Sequence, residues 1–212
     1  LRHAGIDREI MSVAHLHDRV NPANDDRERE RWNAFASRLR GPKPRAVTIG
    51  LTGKYAQLRD AYASIAKAVE HCSAHLRADV SLRWIESTDL ESTRDQRLDD
   101  AMDGLDAVIV PGGFGARGVE GKISVVNRCR TAAIPYLGIC LGFQVAVIEY
   151  ARNVLAMSGA GSTEFDPSPE DPVISELPDQ KRIEGLGGSM RLGGQDVDLT
   201  GDTLARFIYR RS

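Results

Sequence analysis

Only three cysteines stand in 212 residues, at 72, 129 and 140, and they fit neither a disulfide framework nor a Cys-x-x-Cys metal clamp. A reducing, cytoplasmic setting is the expectation. No charge of one sign dominates. Lys and Arg number 28 against 30 Asp and Glu, a net charge of −2, and no stretch has the dense basic footprint that nucleic acid or an acidic membrane surface requires. Long apolar runs are missing as well: charge-free segments such as Ala107 to Val110 fall far short of the roughly 18 residues of a membrane span. Leu1 to Ile10 lacks the apolar core of a signal peptide. There is no internal repeat and no low-complexity tract. Histidine is scarce where a base would be sought, since His3, His15, His17, His71 and His75 all precede residue 76. What is present, 42% hydrophobic and 27% charged residues in 23.2 kDa, describes a soluble globule with room for one α/β domain and one attachment.

The attachment is residues 1–45. Asn21 to Asp26 is turn chemistry, and the charge-laced Arg27 to Arg40 carries Trp32, Phe35 and Leu39 at helical spacing, so it reads as a loop and one amphipathic helix. Gly41-Pro42-Lys43-Pro44 ends that helix, because each proline removes a donor and restricts the residue before it. The domain proper is placed over 46–212. There the pattern alternates as in a mostly parallel sheet with crossover helices. Strands are expected at Ala46–Leu51, Val80–Ile85, Ala107–Val110 and Tyr136–Ile139. Helices are expected at Asp60–Leu76, Leu98–Met102, Ile123–Ala132 and Leu141–Leu155. Beyond Gly159 the chain turns rich in Gly, Pro and Asp, then offers two short strands, Ser189–Leu192 and Asp196–Leu199.

Gly138-Ile139-Cys140-Leu141-Gly142 is a G-x-C-x-G between an expected strand and an expected helix. This is the cysteine form of the nucleophile elbow, whose glycines permit a tight, strained turn that lifts the nucleophile clear of the sheet. The free N–H groups and positive dipole end of the helix starting at Leu141 favour a thiolate. Pro111-Gly112-Gly113-Phe114-Gly115 follows the strand Ala107–Val110 at the same sheet edge. The N–H of Gly113 or Phe114, with that of Leu141, can form an oxyanion hole.

Two look-alikes are set aside. Gly113 to Gly118 fits G-x-G-x-x-G, but no acidic residue for a ribose follows between Gly121 and Ile148, and the turn is not the first of the domain. Gly121-Lys122 resembles the end of a phosphate loop, yet Ala116 stands in place of the first glycine and Ile123 in place of Ser/Thr. His71 and His75, four apart on a helix, lack a third metal ligand, and no metal site is expected.

These residues resemble the glutamine amidotransferase domains of the CTP synthase family, class I amidotransferases. The resemblance rests on Val110 to Gly115 (VPGGFG), Arg117 to Ile123 (RGVEGKI), Leu137 to Gln144 (LGICLGFQ), Glu149 to Val154 (EYARNV) and Ser162 to Phe165 (STEF). It extends to Ile49 to Tyr55 (IGLTGKY), Asp60 to Ser64 (DAYAS) and Leu186 to Gly193 (LGGSMRLG), with Trp32 in a helix like the family's interdomain linker. It implies a three-layer α/β fold with a nucleophile elbow. It further implies Cys140 as nucleophile, Gly113 and Leu141 as oxyanion donors, and Gly113, Phe114, Leu141, Gln144 and Glu164 around glutamine. Arg117, Gly118, Glu120, Gly121 and Lys122 would form a mobile loop over the site. A carboxylate at Glu164 suits the substrate's α-ammonium. The implied partners are glutamine, a synthetase domain using ATP and Mg2+ to aminate UTP, and further copies in a homo-oligomer; no cofactor is implied in this domain, nor any nucleic acid or membrane.

Phe143 stands where the family has methionine, a size-tolerant apolar exchange. The chain stops at Ser212, before the family's Arg-His-Arg-His-Arg-Tyr-Glu and His-Pro-Glu segments, so the printed residues hold a nucleophile without its base and are expected to be inactive alone. Two other readings compete. One is a noncatalytic glutamine-binding or structural relative. The other is a cysteine hydrolase of the wider elbow superfamily, which would carry histidine at 141, where this chain has leucine.

Overall fold

Ala107–Val110 (β3) is four apolar residues in a row, and successive side chains of a strand point to opposite faces. Ile109 packs with Leu51, Tyr62 and Val69 on one face; Val108 and Val110 pack with Val125, Leu141, Val145 and Ile148 on the other. A strand buried on both faces belongs inside a parallel sheet. A computed structural model, which describes residues 5–16, 19, 21–91, 95–175 and 196–209, places it there. β1 (Arg45–Gly53), β2 (Ala78–Glu86), β3 and β4 (Tyr136–Gly138) form one parallel sheet in the order β2-β1-β3-β4.

Helix α3 (Ala63–Leu76) covers the Leu51 face, with α2 (Pro22–Arg40) outside it. Helices α4 (Asp95–Met102), α5 (Val119–Thr131) and α6 (Leu141–Asn153) cover the other. The expected three-layer α/β arrangement is the one found. Because all four strands run the same way, Gly53, Glu86, Val110 and Gly138 end at one edge, and the strand order reverses direction between β1 and β3. In open α/β sheets that reversal opens a crevice at the carboxyl edge where ligands bind.

Several element boundaries differ from the sequence expectation. Helix α2 starts at Pro22, not Arg27: the Asn21 side chain accepts the N–H of Ala23 at 3.0 Å and of Asn24 at 3.4 Å, and Pro22 takes the first helical position. The turn-forming residues are thus a helix start. A short 3-10 turn, Arg59–Tyr62, precedes α3. Helix α1 (Ile6–Val13) was not expected, although Ile6, Ile10 and Val13 give it a spacing signal. Two short strands, β5 (Ala160–Ser162) and β6 (Asp171–Ile174), pair in parallel within a segment whose Gly and Pro content hid them. The expected strand Asp196–Leu199 is irregular, and Ser189–Leu192 lies outside the described residues.

The chain divides into two compact units, Leu1–Ser175 and Glu176–Ser212. The segment before Arg45 lies in the first, where the ring of Phe35 on α2 meets those of His71 and His75 on α3. The second contains α7 (Leu204–Ile208), capped by the Thr203 hydroxyl accepting the Arg206 N–H at 3.2 Å.

Candidate active site

Cys140 sits between β4 and α6 with φ 53° and ψ −109°. That is close to the first central position of a type II′ turn, about +60° and −120°, which favours glycine. The Gly142 N–H donates to Ile139 C=O at 2.9 Å and closes the turn. Its neighbours explain why a cysteine is held there. A Cβ on Gly138 would lie 2.6 Å from the Gly142 carbonyl carbon, and one on Gly142 would lie 2.0 Å from Val110 O. Two backbones therefore cross where side chains have no room. Ile139 N–H donates to Val110 C=O at 2.9 Å, and the Tyr136 hydroxyl donates to Gly142 C=O at 2.6 Å. The turn is braced from β3 and β4, while Cys140 itself is exposed. A strained, over-determined residue of this kind marks a functional position.

The turn after β3 comes up against it. A Cβ on Gly112 would touch Cys140, 3.4 Å from its Cβ and 3.9 Å from Sγ, and one on Gly113 would lie 3.5 Å from Leu141 Cδ2. Gly113 N–H and Leu141 N–H have no hydrogen-bond partner among the described residues, as expected for a bare turn and the first residue of a helix. Gln144 is half-buried on the next turn of α6, its N–H donating to Cys140 C=O at 3.1 Å. Glu164, just past β5, accepts the Gly115 N–H at 2.7 Å, and Glu164 N–H donates to the Ser162 hydroxyl at 3.2 Å. Cys140, Gly113, Leu141 and Glu164 thus converge on one edge, with Phe114 exposed beside them. The arrangement offers an exposed thiol, two N–H donors without a partner among the described residues, and a carboxylate.

Residues 57–212 match the family model described as glutamine amidotransferase class-I. The chain belongs to the class-I glutamine amidotransferases. It is 45% identical over 196 residues to a CTP synthase of Methanocaldococcus jannaschii, covering 91% of this chain and 36% of that protein. It is 39% identical over 209 residues to one of Synechococcus, covering 99% and 36%. The chain therefore spans little more than a third of these curated relatives. A solved structure described as the Trypanosoma brucei CTPS glutaminase domain with bound acivicin is similar at TM-score 0.59 and 39% identity, over 63% of this chain and 51% of that one.

In this amidotransferase the segment expected as a mobile loop is a loop only as far as Gly118. Helix α5 begins at Val119, so Glu120, Gly121 and Lys122 form its first turn. The reason is close packing: Gly118 has φ 81°, and a Cβ on Gly121 would lie 2.0 Å from Ser87 O. Gly118 N–H donates to the Glu91 carboxylate, an anion suited to a helix N-terminus, and Glu120 pairs with Arg152 at 2.9 Å. Arg117 donates to Lys54 C=O at 3.1 Å and lies over the Tyr55 ring.

Lys54 itself donates to Phe114 C=O at 2.5 Å, tying the end of β1 to the turn after β3. No site role was assigned to Lys54 or Glu91 from sequence. The signal for Lys54 was its place at the carboxyl end of a strand, the edge where Cys140 was already placed. His71 and His75 are engaged with Phe35 and are not brought to the elbow. Among the described residues no group of three His, Cys, Asp or Glu is placed to hold a metal, and no helix is long and apolar enough to cross a membrane.

Proposed function

We propose that this chain is the glutaminase portion of a CTP synthase. Cys140 attacks the side-chain amide carbon of glutamine. The tetrahedral oxyanion is received by the N–H groups of Gly113 and Leu141, and its collapse expels ammonia and leaves a γ-glutamyl thioester. Water then hydrolyses the thioester to glutamate and frees the thiol. Gln144 and Glu164 hold the amino-acid end, the Glu164 carboxylate facing the α-ammonium. The ammonia passes to a synthetase domain that uses ATP and Mg2+ to aminate UTP, α2 serves as the linker to that domain, and the full enzyme is a homo-oligomer. The observation that carries the reading is the strained, exposed Cys140 beside two N–H groups unpartnered among the described residues. The identities near 40% with CTP synthases support the choice of acceptor.

The test uses the whole gene product that carries this chain. Cys140→Ser should abolish CTP formation from glutamine and leave CTP formation from added ammonium salt intact. Glutamine-driven synthesis that survives the substitution would overturn the assignment, and loss of both reactions would place Cys140 in the fold rather than in the chemistry.

A further inference from the structure

Lys122, expected from the resemblance only as part of a loop over the site, is instead packed beside the turn after β3. The residue is 1% exposed, on the first turn of α5, and its ammonium makes no hydrogen bond or ion pair among the described residues. A largely buried lysine this close to a glycine turn is retained where its charge has a use. Its Nζ lies 3.7 Å from the position a Cβ would take on Gly113. Three charged groups face it: Lys54 from the end of β1, which repels, and Glu164 and Glu86, which attract. Neither carboxylate is bonded to it. Glu164 accepts the Gly115 N–H, and Glu86 accepts the Ala56 N–H and the Thr88 hydroxyl.

We propose that Lys122 is a positioning residue of the oxyanion hole: its ammonium, packed against Gly113, steadies the Gly112–Gly115 turn and sets a fixed positive charge beside the negative charge that forms at the Gly113 N–H. This rests on Cys140 being the nucleophile. Lys122 makes and breaks no bond and stays an ammonium throughout. Burial, reinforced by Lys54 and opposed by Glu164 and Glu86, lowers its pKa to about 8, so the charge is present at neutral pH and is lost above it.

The test compares alkylation of Cys140 by iodoacetate, an anion, and by iodoacetamide, which is neutral, in the 212-residue chain. Both react through the thiolate, so their rate ratio cancels the ionisation of the thiol and reports the charge around it. Lys122→Met should lower the iodoacetate-to-iodoacetamide ratio severalfold at pH 7, and Lys122→Arg should keep it. In the unsubstituted chain the ratio should fall as the pH rises through about 8, which decides the matter if Lys122→Met fails to fold. A purely structural lysine would leave the ratio unchanged. The same ratio in folded Lys122→Met, or no fall with pH in the unsubstituted chain, overturns the proposal while Cys140 remains the fast-reacting thiol. Slow, unselective reaction of Cys140 with iodoacetamide would instead overturn the reading on which it rests.

Discussion

At Cys140 a side chain occupies backbone that suits glycine, at φ 53° and ψ −109°. Such strain costs on the order of 1–3 kcal/mol, and a glycine would relieve it at a smaller entropic cost in the unfolded chain. Cys140→Gly should therefore raise the unfolding free energy by about 1 kcal/mol in urea titration while removing the proposed nucleophile. A lower stability would show that the turn is not strained by its cysteine. This residue was legible in the sequence because the strain needs Gly138 and Gly142 beside it, and those glycines stand in the same five residues. Glu91 was not legible as a site neighbour, Lys54 only by its place at the end of a strand, and Lys122 only through the resemblance, as part of a loop over the site. Lys54 meets Phe114, sixty residues on, and Glu91 meets Gly118 across twenty-seven, so only the folded sheet brings each pair together.

The elements read most clearly where apolar residues are continuous. Strand β3 has the expected limits because burial on both faces leaves no competing pattern, and α6 starts at Leu141 as expected because the glycines at 138 and 142 mark the turn before it. Helix starts read less well: Asn21-Pro22 caps α2 where turn chemistry alone suggested a loop, and α5 begins four residues early on the glycines at 118 and 121.

Helices α5 and α6 are joined by a polar device that was also not anticipated. Glu149 on α6, 1% exposed, accepts from Arg130 at 2.8 Å, Asn127 at 2.8 Å and Asn153 at 3.1 Å. Burial alone would raise its carboxyl pKa, but these hydrogen bonds and the Arg130 charge hold it below the ordinary 4.5. A carboxylate with a depressed folded pKa contributes stability that is fully present above its unfolded value and is lost as the pH falls through the folded one. Glu149→Gln should lower the melting temperature by several degrees at pH 7, and the gap to the parent chain should close on acidification below about pH 4.5. A gap that stays constant from pH 7 to pH 3 would mean that the charge contributes nothing.

At the scale of the molecule, the alternation of strands and helices from Ala46 onward made the α/β class legible, since each βαβ unit repeats the same hydrophobic logic over a length that sequence patterns capture. The division at 175/176 was not, because Gly, Pro and Asp continue across it without a change of composition. The parallel sheet explains why so much of the site follows from one fact. With every strand pointing the same way, the turn after β3, the elbow after β4 and the end of β1 arrive at one edge. We expect this edge to present Cys140 as an exposed thiol that reacts ahead of the other two. Cys129 is buried, and burial pushes its thiol up to about 11; Cys72 is exposed on α3 but within the helix, away from free N–H groups. Limiting iodoacetamide near neutral pH, followed by peptide mapping in the mass spectrometer, separates the three. Cys140 should label first in the native chain, Cys129 last, and all three alike in urea; labelling of Cys72 or Cys129 ahead of Cys140 in the folded protein would contradict the claim.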